Sequence, residues 1–207
     1  CSILILLPPQ VAAQTINSLE IAQKLQNTYK KATSLVADFN QTTSINFSGR
    51  VRQGSVSMIF LRPGQLRWDY IAPDHQVLIS DGKSISMYFE KNRQMMVMPA
   101  DRYQNSDVTY AFFVGNGDIR RDFEIQKPAA APFLADDQYC IKLIPKETHP
   151  QLSYLHLWIN SSTWLVQRIQ LVDQLDSVTD LFFTNIIINQ PVADETFLFT
   201  PPPDTEI

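Results

Sequence analysis

The chain has 207 residues, 44% of them apolar, and a formal net charge of −4. That is long enough for one sizeable core or two small ones, and sheet proteins of this length are commonly single domains. An acidic balance without a basic stripe argues against nucleic-acid binding, and no block of like charges marks an interaction tail.

Residues 1–13 read as the C-terminal part of a secretory signal. A short apolar run over 2–7 is ended by Pro8-Pro9, and Val11-Ala12-Ala13 puts small residues where signal peptidase needs them. Cleavage after Ala13 would leave 14–207 as a single exported domain. The run is too short to cross a bilayer, and nothing later approaches ~18 consecutive apolar residues. Cys1-Ser2 also looks like the acceptor end of a bacterial lipoprotein signal, but the residues after it are apolar where a polar linker would be expected. On the signal reading Cys140 stands alone in the mature chain. It cannot form an internal disulfide, and it is expected to be an inert core thiol.

Residues 17–34 are predicted to be helical. Ile16, Leu19, Ala22, Leu25, Tyr29 and Ala32 recur every three or four positions and make one apolar stripe. Asn17 can cap the helix with Glu20 in its first turn, and Lys30 and Lys31 suit its C-terminal end. Strands are predicted over 35–44, 50–61, 65–71, 75–80, 83–89 and 93–98. Val56, Met58 and Phe60 alternate with Ser55 and Ser57, and Leu66, Trp68 and Tyr70 alternate with Arg67 and Asp69. Arg62-Pro63-Gly64, Ala72-Pro73-Asp74, Asp81-Gly82 and Glu90-Lys91-Asn92 supply the turns. Such a run is a meander, each strand pairing with its predecessor.

The pattern breaks over 99–122. Asn105-Ser106-Asp107 can cap a short helix over 108–114 that Gly115-Asn116-Gly117 would stop. The segment VTYAFFV is apolar on every side and its residues also favour strand, so its period leaves both open. As a helix it must be covered all round. Strands resume at 123–126, 138–145, 152–160, 164–172 and 178–188, about eleven in all, and one continuous antiparallel sheet across the central loop is the simplest arrangement. The end, FLFTPPPDTEI, starts apolar and finishes in a proline run that cannot enter a ladder.

Chemistry is sparse. His75, His149 and His156 are scattered, with no Cys or carboxylate at metal-ligand spacing. No P-loop, dinucleotide fingerprint or G-x-S-x-G is present. No catalytic residue, metal or cofactor is therefore expected. What remains is aromatic and Met content on strands, which faces either a close-packed core or a ligand cavity.

Phe39-Asn40-Gln41, Gly54, Arg62-Pro63, Leu66, Trp68, Pro73 and Leu78-Ile79-Ser80-Asp81-Gly82 resemble the LolA family of periplasmic outer-membrane lipoprotein carriers. Gly115 followed by Phe123, Leu143-Ile144-Pro145 and Phe197-Leu198-Phe199-Thr200-Pro201-Pro202 extend the resemblance, in order, along nearly the whole chain. It implies a mainly β fold: an incomplete, unclosed antiparallel β-barrel of about eleven strands, with a helical lid over an apolar cavity. It implies a monomeric periplasmic protein of a Gram-negative bacterium, without catalysis or cofactor. Such a protein takes the acyl chains of lipoproteins from an inner-membrane ABC transporter and passes them to an outer-membrane acceptor. Arg62 matches the family arginine that latches the closed lid through main-chain oxygens. Met58, Phe60, Leu66, Trp68, Val108, Phe112 and Phe113 are the implied cavity and lid positions. Arg67 would add a charge near the rim, and the chain ends soon after Pro203, without the further C-terminal element of some carriers. Two related readings share the scaffold: an exported lipid or glycolipid carrier, and a membrane-anchored lipoprotein acceptor or sensor domain, which a lipobox ending at Cys1 would favour.

Overall fold

The computed structural model describes residues 16–104, 117–129, 134–149 and 151–207. The predicted signal segment, the predicted helix over 108–114 and Gly115 lie outside the described residues.

Helix α1 (Ser18–Lys31) begins where Asn17 Oδ1 accepts the Glu20 N–H at 2.9 Å. Its inward stripe is Ile21, Ala22, Leu25 and Gln26, and Leu19 points outward at 56% exposure. The predicted stripe was thus rotated. Ile21 replaces Leu19, and a glutamine occupies an inward position because its amide has main-chain partners there. The helix stops three residues before the predicted end, since Ser34 already begins the first strand.

The strands are β1 (Ser34–Ile45), β2 (Arg50–Leu61), β3 (Gln65–Ala72), β4 (Gln76–Asp81), β5 (Ser84–Phe89) and β6 (Gln94–Pro99), followed by a short helix α2 (Ala100–Gln104). After the central segment come α3 (Ile119–Asp122), β7 (Phe123–Gln126), β8 (Gln138–Pro145), β9 (Tyr154–Asn160), β10 (Val166–Val172) and β11 (Val178–Ile188). They form one antiparallel sheet in the order β6-β5-β4-β3-β2-β1-β11-β10-β9-β8-β7. The continuous sheet expected from sequence is present, but its continuity runs through a different place. The meander breaks at β6 and β7, which are the two edges, and the halves join through β1 and β11. The result is an unclosed barrel.

Period-two alternation sends one face of each strand inward. Phe39, Met58, Phe60, Leu66, Trp68, Leu78 and Ile85 from the first half meet Ile141, Leu157, Ile159 and Leu181 from the second in a single core, over which α1 sets Ala22 and Leu25.

The segment after β11 crosses the outer face of β3 to β6. The Phe199 ring packs at 5.2 Å from Tyr88, tilted by 44°, beside Val77, Ile79 and Met95. Met95 N donates to Glu206 O at 2.8 Å and Glu206 N to Arg93 O at 2.9 Å, so the tail pairs along edge strand β6 beyond the prolines. Arg67 belongs to this outer face. It forks onto Asp69 (2.7 and 3.0 Å) and donates to Thr196 O at 3.1 Å. It fastens the tail, contrary to the expectation of a charge near the rim.

The β2–β3 and β4–β5 turns abut. Ser80 Oγ donates to Gly64 O at 3.0 Å, and Gly82 has φ +89° with Pro63 O only 3.0 Å from where a Cβ would stand. Gly49 has φ +62° but open space around it. Gly82→Ala is expected to lower stability by more than Gly49→Ala, whose cost is the left-handed backbone alone, about 1–2 kcal/mol. Urea unfolding of the two variants measures this; equal losses would show that the turns do not depend on each other.

Candidate functional site

Between the underside of α1 and the inward face of β8 to β10 lies a cavity of about 600 Å³. Its wall is aliphatic: Leu143 from β8, Leu155 and Leu157 from β9, Ile169 and Leu171 from β10, faced by Leu25 of α1. Its mouth carries Lys30, Arg62, Arg121 and Lys146 against Asp118, Asp122 and Glu147. An apolar interior below a charged rim suits an amphiphile, with the tail out of water and the head left in it.

Helix α1 roofs the cavity and is tied down from three directions. The first tie is Arg62, on the β2–β3 turn. Its Nε donates to Ala32 O and its Nη2 to Tyr29 O, both at 2.8 Å. These oxygens lie at the helix C-terminus, where carbonyls lack partners within the helix and the dipole is negative. The second tie is to the β9–β10 turn. The Tyr29 hydroxyl accepts the Val166 N–H at 3.2 Å, and Lys24 Nζ lies 4.9 Å over the Trp164 ring, itself stacked on Tyr139. Burial raises the Tyr29 pKa, so the phenol stays protonated.

The third tie joins α1 to the start of α3. The buried Gln26 amide accepts the Ile119 N–H at 2.8 Å and donates to Gly117 O at 3.3 Å. Arg120 Nη1 donates to Gln23 Oε1 at 3.1 Å, and Lys30 pairs with Asp118 at 3.6 Å. Asp118 caps α3, and the N–H groups of Arg121 and Arg120, with Lys30, hold its carboxyl below the usual carboxylate range. The Arg121 guanidinium does the same for Asp122.

Of the residues singled out in the sequence, Arg62 stands at this mouth. Met58, Phe60, Leu66 and Trp68 are all inward and buried on β2 and β3. Met58, Phe60 and Leu66 pack within the common core beside the cavity rather than on its wall. Trp68 lines a second cavity, of about 590 Å³, at the end of the barrel away from α1. Val108, Phe112 and Phe113 lie outside the described residues. The aliphatic wall on β8 to β10 and Gln26 escaped the sequence reading, which weighed aromatic and Met residues. The wall's signal is the same period-two alternation in the later strands; Gln26 has none. Cys140 is held as a thiol, its pKa pushed up to about 12 by burial. Among the described residues no group of His, Cys, Asp or Glu is placed to hold a metal ion.

An unclosed antiparallel barrel with an aliphatic cavity under a pinned helix defines the class: a β-shell protein built around an apolar internal space. Residues 30–200 match the family model described as outer membrane lipoprotein carrier protein LolA. A relative from Nitrosomonas europaea, described as an outer-membrane lipoprotein carrier protein, is 30% identical over 202 residues, 98% of this chain and 92% of its own. Among solved structures, an uncharacterized conserved protein from Thermus thermophilus aligns with TM-score 0.57 and 12% identity, over 89% of this chain and 96% of that one. A LolA superfamily protein from Nitrosomonas europaea aligns with TM-score 0.50 and 12% identity, over 89% and 99%. At such identities the two structures bear on the fold alone. The chain belongs to the LolA family.

Gln26→Leu leaves the Ile119 N–H and Gly117 O without their partner, at an expected cost of about 1–3 kcal/mol. Amide exchange at Ile119 should speed up while exchange in β1 stays unchanged; unchanged protection at Ile119 would show that this tie is dispensable. The Asp118 and Asp122 carboxyls sit below their ordinary 3.8, so they stabilise the folded mouth above that value. The stabilisation is lost as pH falls from there through the lower folded values. The melting temperature is therefore expected to fall less steeply over that window in Asp118→Asn than in the wild type; identical slopes would remove Asp118 as a contributor.

Proposed function

We propose that this protein is a periplasmic carrier. It receives lipoproteins released from the inner membrane by an ABC transporter, shields their acyl chains beneath α1, and hands them to an outer-membrane acceptor. The single observation that carries this reading is the aliphatic cavity with its charged mouth, in a chain of the LolA family. No covalent step is involved, and binding is by burial.

Magnitudes fix the kind of mechanism. Each buried methylene contributes ~0.8 kcal/mol, so acyl burial gains tens of kcal/mol gross. A lipid leaving a bilayer has already made that gain, so the carrier competes on the difference and must let go. Arg62 is the latch in this reading. Two hydrogen bonds from a charged donor, at about 1.5–3 kcal/mol each, are large enough to favour a closed roof and small enough to be broken by cargo. Direction comes from ATP at the transporter and tighter binding at the acceptor. When the roof lifts, the inward faces of β2 and β3, with Met58, Phe60 and Leu66, would extend the apolar surface. On the same reading Val108, Phe112 and Phe113 belong to the lid.

Mass spectrometry of the protein purified from its periplasm tests the cargo. Bound triacylated lipoprotein is expected; phospholipid alone would favour a general lipid carrier, and an empty protein would count against both. Arg62→Leu should still load cargo but deliver it slowly, and delivery at the wild-type rate would end the latch role. Leu157→Glu should weaken binding of a fluorescent apolar probe about tenfold or more, since one buried charge costs several kcal/mol. Undiminished binding would place the cargo elsewhere.

A further inference from the structure

The second cavity sits at the far end of the barrel, between the β1–β2 hairpin and the turn from β10 into β11. Its inner surface is apolar, made by Phe39, Trp68 and Leu181. Further out lies a band of polar side chains that already serve one another. Thr43 and Thr179 hydroxyls are 3.0 Å apart, and Gln41 Nε2 donates to Thr43 Oγ1 at 3.2 Å. The carboxylate of Asp173 is used within its own turn, where Oδ1 accepts the N–H groups of Leu175 and Ser177 at 2.8 Å. The apolar floor is suited to a hydrocarbon end.

One residue belongs to both cavities. Leu171, next to the end of β10, lines the space under α1 and the space at the far end. It is not fully buried, and it shares the far lining with Phe39 and Trp68, whose rings are 6.0 Å apart. The described strands all belong to the one surrounding sheet, so none of them crosses between the two spaces.

Volume makes the connection matter. Three sixteen-carbon chains hold roughly 45 methylenes, which need on the order of 1,300 Å³ if each takes about the 30 Å³ share of a water molecule. The space under α1 is about 600 Å³ and suffices for little more than one chain. The far cavity adds about 590 Å³. We infer that the far cavity is a second acyl compartment: the terminal methylenes of a chain lying under α1 pass Leu171 and end on Phe39, Trp68 and Leu181. This rests on the carrier reading, since the chain enters by the mouth assigned there.

Photolabelling of the wild-type chain with two diazirine fatty acids of palmitic length tests it, one carrying the diazirine at the chain end and the other next to the carboxylate. The end-labelled acid is expected to mark Phe39, Leu181 and their neighbours, and the carboxylate-labelled acid to mark Leu25, Leu143 and Leu157. Leu171→Phe should cut labelling of Phe39 and Leu181 by the end-labelled palmitic probe several-fold, and unchanged labelling there would overturn passage beside Leu171. Labelling of the α1 cavity alone by both palmitic probes would overturn the second compartment and leave the carrier reading standing. Marking of neither cavity would overturn both.

Discussion

The pairing of β1 with β11 is the constraint on which the rest depends. Each half of the chain is a meander of local hairpins, and each alone would leave an apolar face in water. The ladder from Leu35↔Ile188 to Ser44↔Val178 joins them, with one register shift between Val36 and Asp38. Joined, the sheet wraps one core in which Phe39 lies between Trp68 of one half and Phe183 of the other. The closure that this seam gives on one side is absent on the other, where β6 and β7 stay apart as edges. The space inside exists because the barrel is joined at one seam only.

Helix α1 is fastened to both halves at once. Arg62 reaches it from the first half; Val166 and Trp164 reach it from the second; Gly117 and Ile119 reach it from the segment that precedes β7. These ties are unequal. The Lys30–Asp118 pair is exposed on both sides and screened by solvent, so it contributes little. Arg62 places a permanent charge on helix-terminal carbonyls, and Gln26 accepts the buried Ile119 N–H at the start of α3. Position of the roof is therefore governed by Arg62, Gln26 and the Tyr29 hydroxyl, and the exposed charges shape the mouth more than they hold it.

The fold was legible in the sequence because alternation, turn residues and strand length agreed with one another. β2, β7, β8 and β11 begin and end where the pattern places them. What sequence could not carry was pairing across the chain. A meander rule reports hairpins, so the β1–β11 seam was invisible to it, and the break over 99–122 did not show that β6 and β7 become the two edges. At residue scale the losses have the same origin. Leu19 and Ile21 are equally apolar, and only the position of the sheet decides which is inside. Gln26 looks like a solvated residue until Ile119, far along the chain, comes beside it. Arg67 looked like a rim charge because nothing local announces that the tail returns to Thr196. The aliphatic wall on β8 to β10 was readable as strand face, yet the choice between packed core and empty space depends on what lies opposite.

The tail along β6 carries a kinetic meaning. An uncovered edge strand is a template for pairing with another chain, and here Arg93 and Met95 at the edge are covered by Asp204 and Glu206, more than a hundred residues further on. During vectorial synthesis β6 emerges early and its cover emerges late. The first half of the barrel must wait both for β11 to complete its seam and for the tail to blunt its edge. Such non-local closure makes for slow folding and a long exposure to aggregation.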